Sequence, residues 1–343
     1  MDTCNNLSDL LHQMERIPQI RSLMAELRSG LTWFWEAADS ILGPCGVRLK
    51  TPGEASFSLH NNFFSMLFLY SYFRAGILPQ RRILYAATLQ CLRGMVTGCD
   101  NLLDDEYKPT LDTDIPATGY RFRSVVDIMV SDRVLFQLLM SAAEKDEIAI
   151  DKVLPASAAS MKTMTRSGVE EAEEEAGISV ILEPESVLKT IHHFKTGILF
   201  QCPWDIPLTI ESVTQERLTP LLEGLYQIGL GCQIMDDVVD MALDIQSGKH
   251  NYLVSLIHHG SNPVEKNRLD DRMHLKNRGT DQATICAGHY PVAFKQASAD
   301  ASRLLNDGLS MLFSSEHQFL VKPSIHFLEK RIGVPQSARG AET

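Results

Sequence analysis

A chain of 343 residues, 44% hydrophobic and 22% charged, can bury a sizeable core and is not composed like a disordered protein. Its formal net charge of −11 argues against nonspecific binding to nucleic acid, which needs clustered Lys and Arg, so no nucleic-acid partner is expected. The seven cysteines, Cys4, Cys45, Cys91, Cys99, Cys202, Cys232 and Cys286, are odd in number and lack CxxC spacing, which reads as a reducing, cytoplasmic setting rather than a disulfide framework or zinc site.

Met1 to Leu10 carries Asp2 and Asp9 and no basic stretch ahead of an apolar run, so no signal peptide is expected. From there almost every long segment repeats at helical period. The predicted helices are Leu7 to Met24, Leu31 to Leu42, Leu59 to Ala75, Arg82 to Asp105, Val125 to Ala143, Lys152 to Glu175, Pro184 to Cys202, Thr214 to Leu243, Tyr252 to His258, Pro291 to Leu312 and Phe319 to Ile332. No segment alternates convincingly as a strand, and the most apolar stretch, Phe63 to Leu69, is far short of a transmembrane segment. An all-α fold in a single domain, 1–343, is the expectation. Two polar loops, Lys108 to Gly119 and His258 to Gln282, are predicted after the acidic ends of two helices, either as closures over a site or as solvated connectors.

Those acidic ends carry the chemistry. Asp100-Asn101-Leu102-Leu103-Asp104-Asp105 and Gln233-Ile234-Met235-Asp236-Asp237-Val238-Val239-Asp240 each lie in an apolar helical stretch. Residues four apart share a helix face, so Asp100 with Asp104, and Asp236 with Asp240, each form a two-carboxylate prong. Unpaired carboxylates in such surroundings are costly, and two prongs facing each other would make a site for several divalent cations. The polar line runs upstream through Thr97, Arg93 and Gln90, and downstream from Gln233 to Asp244, so each helix presents one polar seam on an otherwise apolar surface.

The paired prongs resemble the trans-type isoprenyl diphosphate synthases, the class I isoprenoid and terpene synthases. Gln233 to Asp240 matches that family's Gln-x-x-Asp-Asp-x-x-Asp pattern, Asp244 with Gly248-Lys249 matches its continuation, and Phe194-Lys195-Thr196-Gly197 looks like its Lys-Thr-Gly segment. The resemblance implies a helical bundle around a central apolar cavity, with a catalytic core over about 60–256, three Mg2+ ions and an isoprenyl diphosphate substrate. It implies a homodimer as well. On it, Asp100, Asp104, Asp236 and Asp240 are metal ligands supported by Asp105 and Asp237. Lys195, Thr196, Gln233, Lys249 and Arg93 contact the diphosphate or order its ligands, and Met95 and Val96 line the channel for the chain. The Glu170 to Glu175 run falls where the family has a Gln-x-x-Asp segment, but the run itself reads as a solvated face.

Departures narrow the expectation. Chain-elongating members carry Gly-Gly-Lys-Arg near the N-terminus and Arg-Arg after the first acidic motif. Here the counterparts are Arg48-Leu49-Lys50 and Glu106-Tyr107-Lys108, and Asn101 stands where an Asp is usual. A second diphosphate is therefore disfavoured. The expected activity is ionisation of one allylic diphosphate, of about twenty carbons or more, followed by cyclisation or transfer to another acceptor. The alternatives are elongation with isopentenyl diphosphate and a noncatalytic partner subunit.

Overall fold

Prolines set where several helices begin. Pro18, Pro79 and Pro291 each occupy the first helical position after an extended or irregular residue, where the missing N–H costs nothing. The structure, a computed structural model, describes residues 7–276 and 289–334. In chain order the α-helices are α1 Leu7–Glu15, α2 Pro18–Leu42, α3 Phe63–Arg74, α4 Pro79–Leu103, α5 Tyr120–Glu144, α6 Val153–Ala159 and α7 Met161–Glu173. There follow α8 Pro184–Ser186, α9 Ile198–Gln201, α10 Asp205–Ile210, α11 Gln215–Ser247, α12 Tyr252–His259, α13 Pro263–Lys276, α14 Pro291–Leu312 and α15 Val321–Ile332. Between α8 and α9 the chain winds as a π-helix, Val187–Gly197. Among the described residues there is no β-strand, only an isolated antiparallel bridge between Leu49 and Thr113.

The all-α expectation holds, with adjusted boundaries. The first break falls at Arg16–Ile17, ahead of Pro18, and α2 runs unbroken to Leu42 because Gly30 packs against Ala86 and Ile83 of α4 instead of ending a helix. The predicted loop His258 to Gln282 is corrected over Pro263–Lys276, which is helical; the part beyond 276 lies outside the described residues. Asn262 caps this helix, its Oδ1 accepting from Val264 N at 3.1 Å, and Glu265 accepts from Val292 N and Ala293 N at the start of α14. The apolar period there is weak, so the cap was the available signal.

The helices group into two compact units, one comprising the chain to Met164 with Cys202–Leu221, the other Thr165–Gln201 with the chain from Leu222 onward. In the first, α2, α4 and α5 bury Leu23, Leu27, Phe34, Leu84, Leu138 and Leu139. A buried bidentate pair, Arg82 to Glu26 at 2.7 and 2.6 Å, joins α4 to α2. Tyr72 packs edge-on against Tyr85 and Trp204, with ring centroids at 5.5 and 5.0 Å, and donates to Pro203 O. In the second unit, the core includes Ile228 and Ile234 of α11, Leu253 of α12, Leu305 and Leu309 of α14, and Phe327 of α15.

Candidate active site

The first prong stands on the last turn of α4. This helix lies close against α5 because Gly94 and Gly98 carry no side chain: a Cβ there would sit 2.1 Å from Ser131 Oγ and 2.6 Å from Ile128 Cγ1. That contact face also buries Cys91 and Asn101. Asp100, Asp104 and Arg93 are exposed, Thr97 half-buried and Gln90 buried, so the seam opens to solvent toward the acidic end. Asp104 ends the helix, its N–H donating to Asp100 O at 2.9 Å. Met95 is buried and Val96 half-buried.

Asp105 sits in the left-handed region, at φ 54. Its Oδ1 accepts from Tyr120 Oη at 2.7 Å and from Arg121 at 3.0 and 2.7 Å. Those bonds, Tyr120's first and then Arg121's, hold its carboxyl below the usual range. The segment after it is anchored instead of hanging free. Leu111 is fully buried, Thr110 N lies 3.5 Å from Asp127 Oδ2, Lys50 pairs with Asp112 at 3.0 Å and Arg48 with Asp114 at 2.9 Å. Burial raises the Asp127 carboxyl to about 6, against the weaker pull of Thr110 and Arg123.

The second prong is on α11. Asp236 is exposed and Asp240 half-buried, four residues on, whereas Asp237 turns inward and is nearly fully buried. Around Asp237 the side chains form a connected row. Thr196 donates to Gln233 Oε1, Gln233 Nε2 donates to Asp237 Oδ1 at 3.0 Å, and Asp237 Oδ2 accepts from Tyr252 N. His192 Nε2 lies 3.0 Å from that same oxygen without hydrogen-bond alignment. Asn251 Nδ2 donates to Asp237 O and to Asp244 Oδ2, both at 2.7 Å, while its Oδ1 caps α12 by accepting from Val254 N. Burial, then the Asp237 charge, raises the Asp244 carboxyl to about 7.

The Lys-Thr-Gly segment closes the π-helix. Gly197 is required by contact: a Cβ would fall 2.4 Å from the Tyr226 ring. Lys195 Nζ meets Glu174 Oε2 at 2.5 Å and Glu171 Oε2 at 3.3 Å. Burial alone would lower the lysine's pKa, but the two carboxylates overcome it and the shift is upward. Glu174 is therefore not on a solvated face. It is buried, and its Oε1 has no hydrogen-bond partner among the described residues. Gly248, at φ 73, ends α11; its N–H and that of Lys249 both donate to Asp244 O, at 2.8 and 2.9 Å. Lys249 is half-buried beside that turn.

Within each unit, then, the sequence-selected residues gather: Asp100 and Asp104 with Asp105 on one, and Lys195, Thr196, Gln233, Asp236, Asp237 and Asp240 on the other. Asp105 and Asp237, read from sequence as supports to the metal ligands, spend their carboxylates on protein donors. Sequence reasoning missed Glu171, Glu174, His192, Asn251 and Tyr252. The spacing of Glu171 and Glu174 places them on one helix face, and that was the available signal. Among the described residues no three His, Cys, Asp or Glu side chains converge into a ready-made metal cage. An exposed pair of carboxylates is nevertheless what magnesium uses, since it retains water and fills its shell from substrate phosphates.

This architecture has known counterparts. The chain has the all-α fold of the isoprenyl diphosphate synthases. It superposes on a polyprenyl synthase from Roseobacter denitrificans with a TM-score of 0.60 at 16% identity, covering 94% of this chain and 99% of that one. A geranylgeranyl pyrophosphate synthetase from Pyrococcus horikoshii gives a TM-score of 0.57 at 17% identity, over 95% and 98% of the two chains. A geranylgeranyl pyrophosphate synthase from Corynebacterium glutamicum, solved with isoprenyl diphosphate and magnesium, gives 0.58 at 16% identity, over 90% and 99%. No protein-family model and no curated protein matches the sequence. Among the described residues no helix is long and apolar enough to cross a membrane.

Proposed function

We propose that this protein is a magnesium-dependent class I isoprenoid synthase that ionises a single allylic isoprenyl diphosphate and then cyclises the carbocation or passes it to an acceptor other than isopentenyl diphosphate. The observation that carries the reading is the pair of two-carboxylate prongs, Asp100 with Asp104 and Asp236 with Asp240, each at a solvent-accessible position on a helix that also buries core residues. Magnesium, when bound, neutralises the charge that grows on the departing diphosphate. In this reading each pair of carboxylates holds magnesium, and Arg93 and Lys249 supply further cationic contacts. Lys195 already has its charge met by Glu171 and Glu174, so it orders the neighbouring Thr196–Gln233–Asp237 row more than it neutralises substrate.

The preference over elongation rests on where the cations point. Arg48 and Lys50, the counterparts of the basic N-terminal stretch, are paired with Asp114 and Asp112. After the first prong Lys108 pairs with Glu106 and Arg121 with Asp105. Elongation remains the second reading because the similar structures carry the names of elongating synthases. The deciding experiment is incubation of the protein and magnesium with geranyl, farnesyl, geranylgeranyl and longer diphosphates, with and without isopentenyl diphosphate. Diphosphate release from the allylic substrate alone is expected; efficient formation of a product longer by five carbons would establish elongation.

The chain is further proposed to act as a homodimer. Phe122, Val125, Met129 and Phe136 are exposed at spacings of three, four and seven along α5, a stripe suited to packing against its own copy. Sedimentation should show a dimer that Met129→Glu dissociates; a wild-type monomer at micromolar concentration would remove this element.

A further inference from the structure

The side chain of Asn101 clasps the turn after the first prong. Asn101 is fully buried, and its amide meets the main chain of Lys108 twice: Nδ2 donates to Lys108 O at 3.1 Å, and Oδ1 accepts from Lys108 N at 2.8 Å. Its own carbonyl accepts from Glu106 N at 3.1 Å, which closes the end of α4 in a Schellman turn with Asp105 at the left-handed position. A residue with a Cβ is disfavoured there by about 1–2 kcal/mol, so the turn persists because its surroundings over-determine it.

At neutral pH a carboxamide suits this clasp where a carboxylate does not. It offers a donor and an acceptor from one planar group, whereas an ionised carboxylate accepts only. An Asp at 101 would lose the bond to Lys108 O and press its charge toward that carbonyl in a place sealed from water. The Asn that departs from the resembled acidic motif is thus matched to the backbone it holds.

We propose that Asn101 is a positioning residue for the first prong: through the Lys108 main chain it fixes the 104–108 turn, and so sets Asp104 and the Lys108 ammonium relative to Asp100. This rests on reading Asp100 and Asp104 as metal ligands. Lys108 is electrically coupled to both. Its ammonium is held above the ordinary range by Glu106 first and, more weakly, by Asp100 and Asp104, so a displaced turn changes the charge these carboxylates meet.

The test uses Asn101→Asp and Asn101→Ala, with Leu23→Ala in α2 as a core-cavity control. Amide hydrogen exchange at Lys108 and Mn2+ binding followed by electron paramagnetic resonance are the readouts. Asn101→Ala should speed exchange at Lys108 about tenfold or more, the equivalent of one lost hydrogen bond of about 1.4 kcal/mol, whereas Asn101→Asp keeps an acceptor for the Lys108 N–H and loses only the bond to Lys108 O. Both should also weaken several-fold the Mn2+ site that Asp104→Asn removes. Leu23→Ala should leave that site unchanged. Wild-type protection and wild-type Mn2+ affinity in Asn101→Ala would overturn the proposal, as would equal loss of affinity in Leu23→Ala. If Asp104→Asn binds Mn2+ as wild type does, it is the metal reading that fails, and the clasp is then decided by exchange at Lys108 alone.

Discussion

Lys195 and Glu174 form a buried ion pair at 2.5 Å, with the lysine side chain 9% and the glutamate 3% exposed. Glu171 joins them at 3.3 Å from a more open position, 31% exposed. Removing one partner of a buried pair leaves an uncompensated charge and typically costs about 3–5 kcal/mol. Lys195→Met strands two carboxylates, so it should destabilise most, followed by Glu174→Gln, with Glu171→Gln close to wild type. Urea melts of the three variants check the order; a Glu171→Gln loss as large as that of Lys195→Met would show that the charge balance runs differently.

The prongs make a separate prediction, because Asp104 and Asp236 are exposed and carry little of the fold. Asp104→Asn and Asp236→Asn preserve shape but delete one ligand charge each. Magnesium-dependent diphosphate release should fall by about a hundredfold or more, equivalent to roughly 3 kcal/mol of lost transition-state stabilisation, while helical circular dichroism stays near wild type. Full activity in both variants would remove the metal assignment.

Asp127 predicts a pH dependence. It is buried on α5 and its carboxyl is raised to about 6, above the ordinary 3.8. The folded state therefore holds this proton more tightly than the unfolded chain, so the contribution is fully present below about pH 4 and is lost as pH rises through about 6. The shift of about two units corresponds to roughly 3 kcal/mol. Asp127→Asn should accordingly raise the melting temperature at pH 7.5 by several degrees and change it little at pH 4. Equal effects at both pH values would show that the carboxyl is not the source.

The sequence made the helices and both prongs legible because a helical period and an i, i+4 carboxylate pair are local patterns. The Gln233–Asp240 and Lys195–Gly197 segments stood out by their resemblance to a family's motifs, and Gly197 is demanded by contact with the Tyr226 ring. What could not be read was long-range pairing. Glu174 belongs to an acidic run that looks solvated, and only the fold brings Lys195 to it. Nothing local distinguishes Asn101 from a weakened acidic motif until Lys108 is seen across the turn. The helix Pro263–Lys276 was obscured because its residues are mostly polar and show little apolar period.

The chain-length preference that the family resemblance implies makes the last prediction. In the resembled family the residues four and five places before the first acidic motif point down the channel, and bulky aromatics there limit chain length. Here they are Val96 and Met95, and one turn further Leu92, which is buried, is also non-aromatic. On α3 the rings of Phe63, Tyr70 and Tyr72 are core and Phe73 packs against Tyr70 and Arg82, which leaves Phe64 and Phe68, both half-buried, as the aromatic alternatives. Each buried methylene contributes roughly 0.8 kcal/mol, so an open channel favours a twenty-carbon over a fifteen-carbon chain measurably. Met95→Phe or Val96→Phe should shift kcat/KM from geranylgeranyl toward farnesyl diphosphate. If both variants keep the wild-type preference, or if the wild type already favours the fifteen-carbon substrate, the floor is set by another element, and Phe64→Ala and Phe68→Ala become the informative pair.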